Sequence, residues 1–132
     1  MVAEFRPNLT YHAGRGDETF DRYLATANPT IFVAEHHREV VGLLIALTHD
    51  FLCAYGFFAI QEVFYVRPDK RGSRAAAELA IAFNEWADRL GPEEVYMGVA
   101  TGYRPAAARR FMQRFGFEPV GDHLRRICRR KP

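Results

Sequence analysis

The chain has 132 residues, enough for one hydrophobic core and too few for a second, so we predict a single domain over residues 1–132. Hydrophobic residues make up 48% of the chain and aromatic residues 14%, a composition that excludes a disordered polypeptide. The net charge of +2 excludes a general polyanion binder, so any basic binding site must be local.

The two cysteines and the N-terminal residues indicate in which cellular compartment the protein is expected. Cys53 and Cys128 are too few for a disulfide framework, and neither belongs to a CxxC pair. The N-terminal stretch MVAEFRPNLTYH has no apolar signal segment, and no apolar run approaches 18 residues. We therefore expect a cytoplasmic protein that does not span a membrane.

In chain order, the first half predicts a strand, a helix and three more strands. Residues Val2 to Tyr11 are compatible with a first strand. Asp17 is placed to cap a helix whose apolar residues recur at helical spacing, namely Phe20, Tyr23, Leu24 and Ala27. The runs TIFVAE and EVVGLLIALT flank the short turn HHR and predict a β-hairpin, and FFAIQEVFYV predicts the following strand.

The second half predicts two helices and three strands. From Ser73 to Leu90 the spacing of Leu79, Phe83, Trp86 and Leu90 is helical, and Gly91 ends the helix. A strand EVYMGVA, a short helix after Pro105, and two final strands, FEPVG and HLRRICR, complete the order. The fold class is thus mixed α/β (α+β), with a mostly antiparallel sheet of six to seven strands and about three helices.

The stretch VRPDKRGSRAAAEL carries the clearest indication of a binding site. A strand that turns through Pro68 into a helix near Ser73 directs unpaired N–H groups and the positive end of the helix dipole at one place. Gly72 leaves the backbone accessible, and Lys70, Arg71 and Arg74 add positive charge. These features suit a diphosphate, and a loop of solvated charges that happens to precede a helix is the alternative reading.

Two blocks of sequence resemble the GNAT superfamily of acyl-coenzyme A-dependent N-acyltransferases. VRPDKRGSRAA resembles its pyrophosphate loop, Q/R-x-x-G-x-G/A, and AARRFMQRFGFEPVG resembles its A-x-x-hydrophobic-Tyr-x-x-x-G-F helix and strand. The hairpin FVAEHHREVVGLLIAL matches the central hairpin of that family. The resemblance covers about residues 30 to 121 and implies a GNAT-like sheet.

The resemblance implies where the cosubstrate, acetyl-CoA, would bind. The diphosphate would contact the loop amides, and the pantetheine arm would pair with the strand that ends at Val66, where the family's sheet splays open. The residues that would contact the cofactor are Phe64, Tyr65, Val66, Arg71, Gly72, Ser73, Arg74, Ala75, Ala76 and Met112. A backbone amide near the splay would hold the developing oxyanion.

The sequence departs from the family pattern at four points. Arg74 replaces the first Gly of G-x-G/A, and Pro105 replaces an Asn that the family often has. Met112 stands where the family usually has a Tyr that protonates the departing thiolate, and a thioether has no proton to give. Only one helix fits between Tyr11 and Thr30, where the family usually has two.

Two residues, Glu62 and Tyr103, are the main candidates for acid–base chemistry. Glu62, on the strand leading to the loop, is the candidate general base, because nearby Phe57, Phe58 and Phe64 would partly desolvate its carboxylate. An ordinary polar residue at a strand end is the alternative. Tyr103 or a water could replace the proton donor that Met112 lacks. His49 and Asp50 are weaker candidates for the base.

Other features indicate less. His36 and His37 have no third ligand near in sequence, so we expect no metal. The basic tail RRICRRKP lacks interleaved aromatics, so a solvated terminal strand explains it more simply than nucleic-acid binding does. The aromatic stretch DFLCAYGFF could line an acceptor pocket or a homodimer interface, and core packing is the default reading.

These residues lead to one expected function and one alternative. We expect an acetyl-CoA-dependent N-acetyltransferase that moves an acetyl group to a primary amine of a small molecule or peptide by direct attack. The alternative is a catalytically degenerate domain that binds coenzyme A or a protein partner without turnover. The sequence leaves open the acceptor, the acyl chain preference, the oligomeric state and whether Met112 permits activity.

Overall fold

The structure is a computed structural model that describes residues 9–10, 12–24, 28–99 and 103–128. In these residues the chain forms three α-helices and four strands. In chain order they are α1 Ala13–Leu24, β1 Thr30–His36, β2 Glu39–Asp50, β3 Phe57–Val66, a 3₁₀ turn Pro68–Lys70, α2 Ala75–Leu90, β4 Glu94–Tyr96 and α3 Pro105–Gln113.

The strands form one mixed sheet in the order β1-β2-β3-β4. The first two pairings are antiparallel, and β4 is parallel to β3 because α2 crosses over between them. The predicted mixed, mostly antiparallel sheet and the three helices are confirmed. The predicted number of strands is wrong, since the described sheet has four strands rather than six to seven.

The predicted strands that are not observed belong to the two ends of the chain. Residues 117–128 cover the two predicted final strands except Arg129, which lies outside the described residues; they form no strand, and Leu124 is 90% exposed. Pro119 and Gly121 interrupt the first of these segments, and both residue types weaken strand pairing. Most of the predicted first strand, Val2 to Tyr11, lies outside the described residues.

The core lies between the sheet and one face of α2. Leu79 and Phe83 on α2 are fully buried against Leu44 of β2, and Trp86 packs its ring edge-on against Phe32 of β1 at 6.0 Å between centroids. This confirms the predicted apolar face except at Leu90, which is 46% exposed. Leu90 is the last residue of α2, beyond the sheet residues that cover the preceding turns.

The start of α1 and the end of α2 can be explained from local chemistry. α1 begins at Ala13, so Asp17 lies inside the helix and is not its cap as predicted. His12 takes that role because its Nδ1 accepts a hydrogen bond from the N–H of Arg15 at 3.2 Å. α2 ends as predicted at Gly91, whose φ of 71° lies in the left-handed region and whose N–H bonds the Ala87 carbonyl.

Candidate functional site

The end of β3 is tied to the loop that follows it. The N–H of Arg67 donates to the Val41 carbonyl at 2.8 Å, and its guanidinium bonds Asp69 at 2.7 Å and Glu39 at 3.3 Å. The hydrogen bonds to Asp69 and Glu39 raise the pKa of the Arg67 guanidinium above its ordinary value. The bond from Arg67 lowers the pKa of the Asp69 carboxyl. This network fixes the point where the chain leaves the sheet.

In the loop between β3 and α2, the backbone N–H groups of Gly72 and Arg74 have no hydrogen-bond partner in the described part of the chain. The N–H groups of Arg71 and Ser73 bond the carbonyls of Pro68 and Lys70, and that of Ala75 bonds the Ser73 hydroxyl. The N–H groups of Gly72 and Arg74 make no such bond. Because α2 begins immediately afterwards, these two amides lie at the positive end of its dipole.

The same loop is open and positively charged. Gly72 has a φ of 85°, and a Cβ added there would meet no atom within 4 Å. The side chain of Arg74 is 91% exposed, and its nearest acid is Glu78 at 3.9 Å, which is the outer limit of an ion pair. Ala75 is buried and Ala76 is half-buried against the sheet. The arrangement can hold an anion against backbone amides with mobile positive charge around it.

β3 and β4 separate after a short contact, which leaves the second half of β3 with an open edge. The parallel pairing runs from Phe58 opposite Glu94 to Ile60 opposite Tyr96 and then stops. One residue further on, the Gln61 carboxamide accepts a hydrogen bond from the N–H of Gly98 at 3.1 Å. We call the gap from Gln61 to Val66 along β3 the cleft; no described strand pairs with this edge of β3.

The register of β2 and β3 determines which backbone groups face the cleft. Arg67 bonds Val41 across the pair, so alternate positions Tyr65 and Val63 also bond β2. The N–H and C=O groups of Phe64 and Val66 therefore point the other way, into the cleft. These are hydrogen-bonding groups that an extended chain lying in the cleft could pair with.

Arg71 lies at the mouth of the cleft, where the loop meets the strand. Its Nε donates to the Val66 carbonyl at 3.0 Å. Its guanidinium also lies over two aromatic rings, 5.5 Å from the centroid of Tyr65 and 5.1 Å from that of Tyr103. Arg71 therefore occupies one of the acceptors that the cleft offers.

Glu62 lies at a β-bulge in the middle of β3. Gln61 pairs with Ala46 and Val63 with Ile45, so Glu62 is the extra residue of the bulge in the register of β3 against β2. The bulge places Glu62 beside the narrow end of the cleft. The side chain is exposed, so the predicted partial desolvation by neighbouring Phe residues is wrong.

Tyr103, the residue considered for proton donation in place of Met112, lies apart from Glu62. Met112 on α3 is 8% exposed, and the adjacent Phe111 contacts Phe64 of β3 at 5.9 Å between ring centroids. Tyr103 contacts Arg71 at the mouth of the cleft. Four residue steps of about 3.3 Å separate Val66 from Glu62 along β3, so Tyr103 lies at the opposite end of the cleft from the bulge.

Sequence reasoning missed Gln61 and Arg67 as parts of this site. The signal for Gln61 was present, because Gln61 and Glu62 are the two polar residues inside an otherwise apolar strand. Arg67 could not be found in that way, since its bond to Glu39 joins residues 28 positions apart.

Two further observations concern metal binding and membrane insertion. Over residues 9–10, 12–24, 28–99 and 103–128, no three His, Cys, Asp or Glu side chains come together as a metal site would require. In the same residues, no helix has both the length and the apolar character needed to cross a bilayer.

A mixed sheet that opens beside a loop and a helix N-terminus defines a domain with the architecture of acyl-coenzyme A-dependent transferases. The sequence profile of the Acetyltransferase (GNAT) family matches residues 3–117. The protein belongs to this family. No curated protein matches the sequence significantly.

Solved structures with the same fold include proteins of different described roles. A transcriptional regulator from Bacillus halodurans C-125 superposes with a TM-score of 0.77 at 21% identity, covering 93% of this chain and 83% of that one. The aminoglycoside N-acetyltransferase AAC(6′)-Iy, in complex with a coenzyme A bisubstrate analogue, gives 0.69 at 21% identity over 100% and 87%. An aminoglycoside acetyltransferase from an uncultured soil metagenomic sample gives 0.73 at 19% over 97% and 82%. At these identities the likeness shows the shared fold.

Proposed function

We propose that the protein transfers an acetyl group from acetyl-CoA to a primary amine by direct attack, with no covalent enzyme intermediate. The observation that carries the proposal is the open edge of β3, which runs from the bulge at Glu62 to two unbonded loop amides at Gly72 and Arg74. Membership of the GNAT family supports the choice of acetyl-CoA as cosubstrate.

The proposed cofactor position follows the polar groups of the cleft. The diphosphate lies against the N–H groups of Gly72 and Arg74, between the side chains of Arg71 and Arg74. Ser73, Ala75 and Ala76 form the wall of the same turn. The pantetheine arm runs down the cleft and pairs with the N–H and C=O groups of Phe64 and Val66, beside Tyr65, once Arg71 has moved from the Val66 carbonyl to the diphosphate. Met112 on α3 supplies apolar packing near Phe64.

The chemistry needs a free amine and a carbonyl polarised for attack. Glu62, at the bulge, takes a proton from the acceptor ammonium, either directly or through one water. The amine nitrogen then attacks the thioester carbon, and a backbone N–H in the cleft stabilises the oxyanion. The C–S bond breaks, coenzyme A leaves as a thiolate, and the nitrogen releases its second proton to water as the neutral amide forms. Met112 donates no proton, so this released proton reaches the thiolate through water.

The acceptor class is a small polyamine-like molecule rather than a protein. Structural neighbours include several aminoglycoside acetyltransferases, whose substrates carry primary amines. The bulge residue Glu62 is exposed and so is reachable by an amine that approaches from solvent. An aminoglycoside is therefore the first acceptor to test.

The test follows free thiol while the protein is incubated with acetyl-CoA and a panel of amines that includes aminoglycosides and polyamines. We expect thiol release that requires both the protein and an amine. Glu62→Gln should lower the rate by roughly 100- to 10,000-fold while leaving coenzyme A affinity unchanged. Glu35→Gln is the matched control, because Glu35 is an exposed acid on β1, away from the cleft. Equal rates in the two variants would remove Glu62 from the mechanism.

A second candidate function is binding of coenzyme A without turnover. Two observations favour it: Met112 is buried where a proton donor would be needed, and Arg71 occupies the Val66 carbonyl. A rise in melting temperature with coenzyme A, together with no amine-dependent thiol release from any acceptor in the panel, would select this function.

A further inference from the structure

Gln61 lies where the cleft between β3 and β4 closes. The backbones of the two strands pair up to Ile60 and Tyr96 and then part. One residue later, the gap is crossed by a side chain instead of a backbone hydrogen bond, since the Gln61 Oε1 accepts from the Gly98 N–H at 3.1 Å. The carboxamide therefore forms a bridge across the narrow end of the cleft.

The chemistry of this bridge fixes its orientation. A backbone N–H can be satisfied only by an acceptor, so the oxygen of the carboxamide must face Gly98, and the Nε2 group is held away from it. Gln61 is half-buried, and it lies one residue beyond the last strand pair. An anchored side chain of this kind can act as a fixed wall, whereas an untethered one would move aside.

The distance of the bridge from the mouth of the cleft determines which part of a bound ligand would contact Gln61. The loop amides lie beyond Val66, at the wide end of the cleft. Gln61 lies five residues before Val66, which is about 16 Å at 3.3 Å per residue. A carrier with its diphosphate at the loop and its arm extended down the cleft therefore directs its acyl end at Gln61.

We infer that the Gln61–Gly98 bridge is the floor of the cleft and limits the acyl chain that the protein accepts to a short one. Gln61 is thus a residue that determines specificity for the thioester. This inference rests on the proposed function, because it takes an acyl-coenzyme A thioester as the occupant of the cleft.

The test compares the affinities of the protein for coenzyme A, acetyl-CoA and butyryl-CoA by calorimetry, which needs no turnover. The wild-type protein should bind acetyl-CoA more tightly than butyryl-CoA. Gln61→Ala should shift the ratio of the two dissociation constants toward butyryl-CoA by roughly tenfold, the factor for burying two more methylene groups. Gln61→Asn, which shortens the side chain by one methylene and keeps its amide, should shift the same ratio toward butyryl-CoA by less than Gln61→Ala does.

Two controls separate this role from general loosening of the strand. Gln61→Glu keeps the length of the side chain and an acceptor for Gly98, so the ratio should stay as in the wild type. Val63→Ala removes packing from the same strand on the far side of the bulge, and it should lower the melting temperature without changing the ratio. An unchanged ratio in both Gln61→Ala and Gln61→Asn would overturn the inference and leave the proposed function standing. Failure of every thioester to bind the wild type would overturn both.

Discussion

Substitutions at Gly72 and Gly91 distinguish the effect of backbone strain on stability from an effect on ligand binding at the loop. Both have positive φ, 85° and 71°, and a Cβ added at either would meet no atom within 4 Å. The left-handed region costs a residue with a side chain about 1–2 kcal/mol, so Gly72→Ala and Gly91→Ala should lose similar stability. For a chain of this size, a loss of 1 kcal/mol lowers the melting temperature by about 3–5 °C.

The two variants should differ in binding. The Cβ of Gly72→Ala would project beside the unbonded amides of the loop, whereas Gly91 lies at the far end of α2, sixteen residues of helix away. We expect Gly72→Ala to weaken coenzyme A binding at least tenfold, which corresponds to about 1.4 kcal/mol, and Gly91→Ala to leave it unchanged. The assay is thermal denaturation without ligand and calorimetric titration with coenzyme A. Equal coenzyme A affinities in the two variants would refute the placement of the diphosphate at this loop.

Three further variants test the neighbourhood of the cleft. Tyr103→Leu removes one cation–π contact to Arg71, worth about 0.5–1 kcal/mol, so Arg71 should leave the Val66 carbonyl more readily and coenzyme A affinity should rise about two- to fivefold. Weaker binding of Tyr103→Leu in titration calorimetry would show that Tyr103 contacts the cofactor instead. Met112→Leu conserves volume and removes no proton donor, so thiol release should stay within about twofold, and a large loss would contradict a packing role. Arg67 lowers the pKa of the Asp69 carboxyl in the folded state, so the ionised carboxylate stabilises the fold above the unfolded carboxyl pKa of about 3.9, and this stabilisation is lost as pH falls through the folded value. The difference in melting temperature between the wild type and Asp69→Asn should therefore shrink toward pH 2. A difference that stays constant with pH would contradict the ion pair.

Local patterns predicted the elements that are stabilised by their own sequence. β1, β2 and β3 follow from β-branched runs on either side of turns, and α2 follows from the spacing of Leu79, Phe83 and Trp86 up to Gly91. The loop with its Gly72 and charged residues was also evident, because a strand, a Pro and a helix start determine it locally. These parts needed no knowledge of which strand pairs with which.

The remaining features depend on contacts between residues distant in sequence. The final segment, residues 117–128, has strand-like residues but forms no strand, because a strand needs a partner edge that the sequence of the segment does not specify. β4 stops at Tyr96 because its partner diverges, and the bulge at Glu62 arises from the register against Ala46 and Ile45. The bridge from Gln61 to Gly98 depends on both the divergence of β4 and the register of β3. The narrow end of the cleft therefore could not be predicted from the sequence of one segment alone.

The N-cap residue of α2, Arg74, makes no side-chain capping bond, and the amides of Gly72 and Arg74 are left without protein acceptors in the described part of the chain. An anion bound there would accept hydrogen bonds from these amides and so cap the helix. Binding of the anion and folding of the first turn are therefore thermodynamically linked. Amide hydrogen exchange at these two positions should therefore slow in proportion to the fraction of protein that has ligand bound. The exchange rate at the first turn of the helix would thus report the occupancy of the site.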